Sequence, residues 1–295
     1  MRNLVASVML VVLLLGGAVW MSKENNEGLT VDNASYSIPK TLRYSIEVTN
    51  TSAQLLESVG LWVYAPVKQT ASQMVDEVRV AGAQFSLEDD QYGNQSLHLK
   101  VLNLPPNGRR VVTVTALLRM SMQPQSVEFD EGVYLASAPY VEIDSPDVKA
   151  FSEQFSSMAV QQKVESINTV VGNHIDDAGY VKESLGALYA LRHQKGDCSE
   201  FMYLSTALLR SQGIPARPVA GFVVSDRGKV LTSVDYHNWT EYFDGNVWQL
   251  MDAQNRILKE KNTDYVVFRL LGHDEDARFS ERFVIPEDSV KVRLL

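Results

Sequence analysis

Cys198, His237 and Asp252 are the residues of this chain whose types and order could do covalent chemistry. Cys198 is the single cysteine of 295 residues. It stands in Gly196-Asp197-Cys198-Ser199-Glu200, His237 in Tyr236-His237-Asn238-Trp239-Thr240-Glu241, and Asp252 closes Asn246-Val247-Trp248-Gln249-Leu250-Met251-Asp252. In such a set the imidazole takes the thiol proton, and the carboxylate fixes the tautomer and orientation of the imidazole. A lone cysteine is most often a small buried hydrophobe, so its position has to argue for chemistry.

The position does so. Asp197 can cap a helix whose third residue is Glu200, with Phe201, Leu204 and Leu208 as its apolar stripe and Gly213 and Pro215 ending it. That puts the thiol in the first turn, where unpaired backbone N–H groups and the positive end of the helix dipole favour thiolate; reported cases reach pKa values of ~3.5 to 7.5, against ~8.5 for a free thiol. The same N–H groups could hold an oxyanion. Tyr236 to Phe243 reads as a strand, Asp244-Gly245-Asn246 as a hairpin turn and Val247 to Asp252 as the returning strand. With Gly245-Asn246 as a two-residue loop, Asp244 pairs with Val247, His237 faces Gln254, and Asp252 is the diagonal neighbour of His237 on the same face. A four-residue loop would place His237 and Asp252 directly opposite, and an odd loop without a bulge would separate them.

These elements need a scaffold, and the patterning supplies one. From Leu42 to about Met120 short strands alternate with turns: Arg43 to Thr49, Gly60 to Tyr64, Ser96 to Val101 and Arg110 to Ala116, broken by Asn50-Thr51-Ser52, Tyr92-Gly93-Asn94 and Pro105-Pro106-Asn107-Gly108. This predicts an antiparallel β-sandwich of immunoglobulin-like type over 39–125, with Trp62 in its core and His98 on its surface. Ser145-Pro146 then opens a helix carrying Val148, Phe151, Phe155, Met158, Val164, Ile167 and Val171 at helical spacing, with His174 exposed near its end. Asp264 to Leu271 and Val290 to Leu295 read as strands completing the sheet of a second domain, 145–295. The fold class is therefore α+β, and 295 residues with 45% hydrophobic content suit two folded parts.

Ahead of the scaffold, Met1-Arg2-Asn3 precedes an uncharged apolar run over 4–21, close to the ~20 residues that span a bilayer. Residues 1–21 read as a signal anchor with Arg2 on the cytoplasmic side, a cleaved signal peptide being the alternative, and 22–38 as a polar tether. Either reading puts the rest outside the cytoplasm, and the anchor reading ties it to the inner membrane through residues 4–21 alone. A free thiol in an exported chain is then one kept for chemistry or for an intermolecular link. The net charge of −9 and the lack of a Lys/Arg cluster exclude a nucleic-acid partner.

Three blocks in order, Gly196-Asp197-Cys198-Ser199-Glu200-Phe201, Ala207-Leu208-Leu209-Arg210-Ser211-Gln212-Gly213-Ile214-Pro215-Ala216-Arg217-Pro218-Val219-Ala220-Gly221-Phe222, and His237-Asn238-Trp239-Thr240-Glu241 with Trp248 through Ala253, resemble the transglutaminase-like superfamily. The resemblance covers about 145 to 270. It implies a papain-like fold with the cysteine on a helix packed against an antiparallel sheet, Cys198 as nucleophile, His237 as general base and acid, and Asp252 as the residue orienting His237. Animal transglutaminases use an indole upstream of the cysteine at the oxyanion; no Trp lies between Trp62 and Trp239, which leaves the Cys198 N–H and the Gln194 side chain as candidates. Trp239, sharing its strand face with His237, is the candidate substrate contact. Arg210 and Arg217 read as structural or rim residues.

No cofactor or metal is expected. The superfamily's calcium sites have no counterpart, Asp274-Glu275-Asp276 reads as a solvated turn, and HExxH, CxxC, Gly-x-Ser-x-Gly and phosphate-binding glycine loops are missing from the sequence. The expectation is an extracytoplasmic cysteine enzyme acting on a protein or peptide amide through a thioester, resolved by water in a peptidase or amidase. Resolution by an amine would make it a crosslinking acyltransferase, and a non-catalytic binding or assembly module of the cell envelope is the third class.

Overall fold

The computed structural model describes residues 35–181, 183–271, 283–284 and 288–295. The apolar run at 4–21, most of the expected tether, His273 and Asp274-Glu275-Asp276 lie outside them. The elements are β1 (Ile38–Asn50), β2 (Leu56–Ala65), β3 (Gln73–Ala81), β4 (Gln84–Asp89), β5 (Gln95–Leu104), β6 (Arg109–Met120), α1 (Pro146–Ser152), α2 (Val160–His174), β7 (Asp176–Asp177), α3 (Ala187–His193), β8 (Lys195–Gly196), α4 (Cys198–Ser211), β9 (Ala216–Val223), β10 (Gly228–Val230), β11 (Tyr236–Phe243), β12 (Trp248–Asp252), β13 (Ile257–Leu258), β14 (Tyr265–Leu270), β15 (Phe283–Val284) and β16 (Val290–Leu294). Among the described residues no helix is long and apolar enough to cross a membrane.

Period-two alternation in the first half gives two sheets whose inner faces meet. One runs β10-β1-β6-β3 with β16 also on β1, the other β15-β2-β5-β4. Leu42, Tyr44, Ile46 and Val48 of β1, Val112, Val114, Ala116 and Leu118 of β6, and Val59, Leu61, Leu97 and Leu99 from the facing sheet share one buried core. The residues between them on each strand point outward, as a half-buried sheet requires.

The second layer is an antiparallel sheet in the order β13-β12-β11-β9-β14, with α4 against β9 and β11 and α1, α2 and α3 packed around α4. α4 is buried through most of its length because neighbours cover it on several sides; Phe201, Leu204, Ala207 and Leu208 join Val148, Phe155, Val164, Ile167 and Tyr242 in one core. The opposite face of the sheet carries a second, smaller core of Trp239, Val219, Leu250, Tyr265 and Val267 closed by Val67. The whole is a mixed α/β fold of mostly antiparallel strands, and Val31–Leu295 behaves as one compact unit.

Two expectations change. Val290–Leu294 does not complete the second sheet: it pairs antiparallel with β1, Ile46↔Leu294 through Asn50↔Val290, and Val290 enters the sandwich core. Its apolar alternation fits either sheet, and the free edge of β1 took it. The long helix expected after Ser145 is two, α1 and α2, separated by a 3₁₀ turn at Glu153–Phe155 and a break at 156–159. Each half buries its own apolar residues, Val148 and Phe155 before the break and Val164, Ile167 and Val171 after it. His174 is half-buried, with Nε2 2.8 Å from the Leu191 carbonyl.

The layers are bracketed by amides. β14 is the outer strand of its sheet, and its outward backbone groups need partners. Gln73 donates to the Val267 carbonyl at 2.9 Å and accepts from the Val267 N–H at 2.7 Å, while Asn94 does the same for Leu270 at 3.1 and 2.7 Å. The sandwich thereby caps the outer edge of this sheet.

Candidate active site

α4 begins as its sequence requires. Asp197 accepts from the Ser199 N–H at 2.8 Å and Glu200 reaches back to accept from the Asp197 N–H at 3.0 Å, a reciprocal capping box. Gly196 is obligatory in front of it, since a Cβ there would meet the Glu200 Cβ at 2.3 Å. Both carboxylates use their second oxygens on the preceding segment: Asp197 accepts from the Val181 N–H at 2.9 Å and Glu200 from the Leu185 N–H at 2.8 Å. Cys198 is the first helical residue, half-exposed and unpaired. Its own N–H takes no part in the cap and points with the first turn.

The hairpin brings up the other two groups. Phe243↔Trp248, Tyr242↔Gln249, Glu241↔Leu250 and Thr240↔Met251 set the two-residue-loop register, so Asp252 lies diagonal to His237 on one face. His237 Nε2 stands 2.7 Å from Asp252 Oδ2. With Nε2 committed to the carboxylate, Nδ1 is the nitrogen left for the Cys198 thiol, which lies close enough to help raise the pKa of the ring.

Asp252 is the best-held carboxylate of the site. It is 1% exposed, and its Oδ2 also accepts from the Tyr265 hydroxyl at 2.7 Å and Asn255 Nδ2 at 2.8 Å, with Oδ1 accepting from the Asn255 N–H at 3.2 Å. Burial alone would raise its pKa, but the hydrogen bond and charge of His237, with Asn255 and Tyr265, hold it below the ordinary aspartate value. Burial alone would lower His237; the Asp252 carboxylate and the Cys198 thiol outweigh that and push it up to about 9. The arrangement stabilises imidazolium next to the sulfur.

A second contact ties helix to strand. Asn238 Nδ2 donates to Ser199 Oγ at 2.9 Å, and Thr240 Oγ1 donates to the Met202 carbonyl at 2.9 Å, fixing the height of Cys198 relative to His237. Sequence reasoning missed Asn255, Tyr265 and the Asn238–Ser199 bond. Asn255, three residues after Asp252, carries a turn signal that could have flagged it; Tyr265 arrives from a distant strand with no local sign.

Trp239 is corrected. It is 1% exposed, packs edge-on against Tyr265 with centroids 5.0 Å apart and lies under Gly221, where a Cβ would meet its ring at 2.7 Å. It supports the His237 ring from below, ring centroids 6.4 Å apart, and has no surface for substrate. Gln194 sits exposed in the left-handed region at the end of α3, its carbonyl accepting from the Asp176 N–H at 2.8 Å. Among the described residues its side chain has no hydrogen-bond partner. Arg210 and Arg217 are structural: the first donates to the Ala216 and Ala136 carbonyls, the second to Glu241 at 2.6 Å while stacking 4.1 Å from the Trp248 ring. Among the described residues no cluster of His, Cys, Asp and Glu could hold a metal ion.

Residues 149–253 match the family model of the transglutaminase-like superfamily, and this segment is a transglutaminase-like domain. The chain is similar to a Cytophaga hutchinsonii protein provisionally named a cysteine protease, at 17% identity over 87% of this chain and 90% of that one, with a TM-score of 0.60; the likeness is one of fold. It is also similar to the periplasmic domain of TgpA from Pseudomonas aeruginosa, at 16% identity over 72% of this chain and 88% of that one, with a TM-score of 0.37. No curated protein matches the chain.

Proposed function

We propose that this chain is an extracytoplasmic cysteine enzyme that attacks a peptide or side-chain amide through a thioester, with water as the acceptor. The observation that carries the proposal is the His237 ring held between Asp252, at 2.7 Å, and a thiol on the first residue of α4. Cys198 as thiolate adds to the carbonyl carbon, and the oxygen that takes up the electron pair meets the Cys198 N–H at the positive end of the helix. The imidazolium then gives its Nδ1 proton to the leaving amine as the C–N bond breaks, and the thioester remains. Water attacks next, losing its proton to Nδ1, and the acid leaves as the thiolate returns. Asp252 stays ionised throughout and keeps the ring turned. Gln194 is a candidate side-chain donor to the oxyanion.

The same thioester could be resolved by an amine, which would make the chain a crosslinking acyltransferase; the buried half of the site suits both. The apolar run at 4–21 supports a location outside the cytoplasm with a membrane anchor. Incubating the full chain with a proteome-derived peptide pool, then trapping with hydroxylamine, separates the outcomes by mass spectrometry. A hydroxamate that depends on Cys198, with free acids formed in water alone, is the expected result. Products joined to added amines would make it a transferase, and no adduct in the presence of a reactive Cys198 would leave a binding module.

A further inference from the structure

Arg269 lies on β14 where the ladder slips. Val267 pairs with Gly221, but Arg269 pairs with Ala220, a register shift of one residue. Val267 and Leu270 face the core under Trp239. Without the slip Arg269 would follow Val267 into that core; with it, the side chain emerges on the α4 side of the sheet. Bulges beside active sites commonly re-aim a side chain in this way.

The guanidinium is left in an unusual setting. It stacks on the face of Tyr64 at 4.3 Å, is partly exposed, and has neither an ion pair nor a hydrogen bond among the described residues, its Nε being buried without a partner. Burial lowers its pKa, against the phenols of Tyr64, Tyr236 and Tyr203 and the Asp90 carboxylate, the charged and titratable groups around it. Asp90 is engaged elsewhere, accepting from the Tyr92 and Asn94 N–H groups and Asn94 Nδ2. Arg217, which is more deeply buried, has Glu241 at 2.6 Å. A guanidinium with one buried N–H unsatisfied among the described residues carries a standing cost, and a planar fork of donors suits a carboxylate.

The cluster borders the proposed cleft. Tyr236 precedes His237, and Tyr203 lies one helical turn beyond Ser199. Ala220, opposite Arg269, pairs on its other side with Asn238, which donates to Ser199. Two strand spacings separate Arg269 from Asn238, roughly 10 Å, the reach of about three extended residues.

We propose that Arg269 is the floor of an anion subsite walled by Tyr64, Tyr203 and Tyr236, and that it receives a carboxylate of the substrate about three residues from the attacked carbonyl. The carboxylate is the α-carboxyl of a short peptide or an acidic side chain. This rests on the reading of the cleft as a peptide-amide site.

The test uses the full chain carrying Cys198→Ala, which binds without turnover, and a pool of N-acetylated tripeptides in four forms: free acid or carboxamide at the end, Glu or Gln within. Affinities are read by saturation-transfer NMR. A carboxylate-bearing form binding at least ~10-fold tighter than its neutral twin is expected, the difference falling to within ~2-fold in Arg269→Gln and persisting in part in Arg269→Lys. The carboxamide arm identifies the α-carboxyl and the Gln arm the side chain. Arg269→Gln should melt close to or above the parent temperature, because among the described residues the guanidinium gives up its stacking on Tyr64 but no ion pair or hydrogen bond. Equal binding of charged and neutral forms, or a preference that survives Arg269→Gln, overturns the subsite. So does a fall in melting temperature with peptide preference unchanged, since the guanidinium would then be a structural prop. Carboxylate-dependent binding by a chain that forms no thioester would remove the catalytic reading and leave the subsite standing.

Discussion

Asp252 and Glu200 are both buried carboxylates beside the elements that carry the proposed nucleophilic pair, at 1% and 0% exposure, yet their surroundings push them in opposite directions. Burial raises Glu200, and the two backbone N–H groups it accepts from, Leu185 and Asp197, do not offset that against the nearby Asp197 charge. Burial would raise Asp252 as well, but His237 reverses the sign. Depth of burial therefore says little about a carboxylate's charge; the presence of a cation or a hydrogen-bonding ring decides it. The difference divides the labour, with Asp252 holding the His237 ring and Glu200 fastening the start of α4 to the segment before it.

The comparison is most easily broken at Asp252. Asp252→Ala should lower the turnover of any Cys198-dependent reaction by about 10³- to 10⁴-fold, through loss of the tautomer and orientation of His237. Steady-state rates on a substrate from the hydroxylamine screen would show it, and a loss below tenfold would mean that Asn255 and Tyr265 hold the ring without it. Arg217→Met probes a third buried carboxylate, Glu241, whose partner is purely structural. Stranding that charge should cost about 3–5 kcal/mol in urea unfolding while the pH profile of Cys198 alkylation stays in place.

Next in size is a pH effect. His237 is raised from 6.5 to about 9, so its pairing stabilises the fold fully below the unfolded value and loses that contribution as pH rises from 6.5 through 9. Asp252 is depressed, so its contribution is present above its unfolded value of ~3.9 and lost as pH falls through the lower folded value. Stability should therefore plateau between about pH 4 and 6.5 and fall by about 3 kcal/mol toward pH 9, a slope that His237→Ala flattens. The smallest effect belongs to Glu200→Gln. The amide keeps one acceptor of two, which should cost about 1–3 kcal/mol in urea unfolding while leaving the His237 titration, read by NMR, where it was. A shift of that titration would mean that the two carboxylates are coupled and not separate devices.

The site was legible in the sequence where its logic is local. Asp197 and Glu200 three apart announce a capping box, and a two-residue loop at Gly245-Asn246 fixes the register that aligns Asp252 with His237. What escaped depends on distant pairing. Tyr265 reaches Asp252 because β14 lies across β9, and nothing near Tyr265 says so. Val290–Leu294 alternates like any edge strand, and only the free side of β1 decides which sheet it joins. Trp239 shares a face with His237 as the alternation requires, but that face becomes a core because Val67 of the sandwich closes over it.

The central claim is that Cys198 and His237 form an activated pair, and the pH dependence of Cys198 alkylation by iodoacetamide tests it most directly, read by mass spectrometry on the parent and on His237→Ala. A half-maximal rate well below the ~8.5 of a free thiol, moving upward in His237→Ala, is the predicted result. A thiol that alkylates along the ordinary curve in both proteins, or only once the chain unfolds, would contradict it.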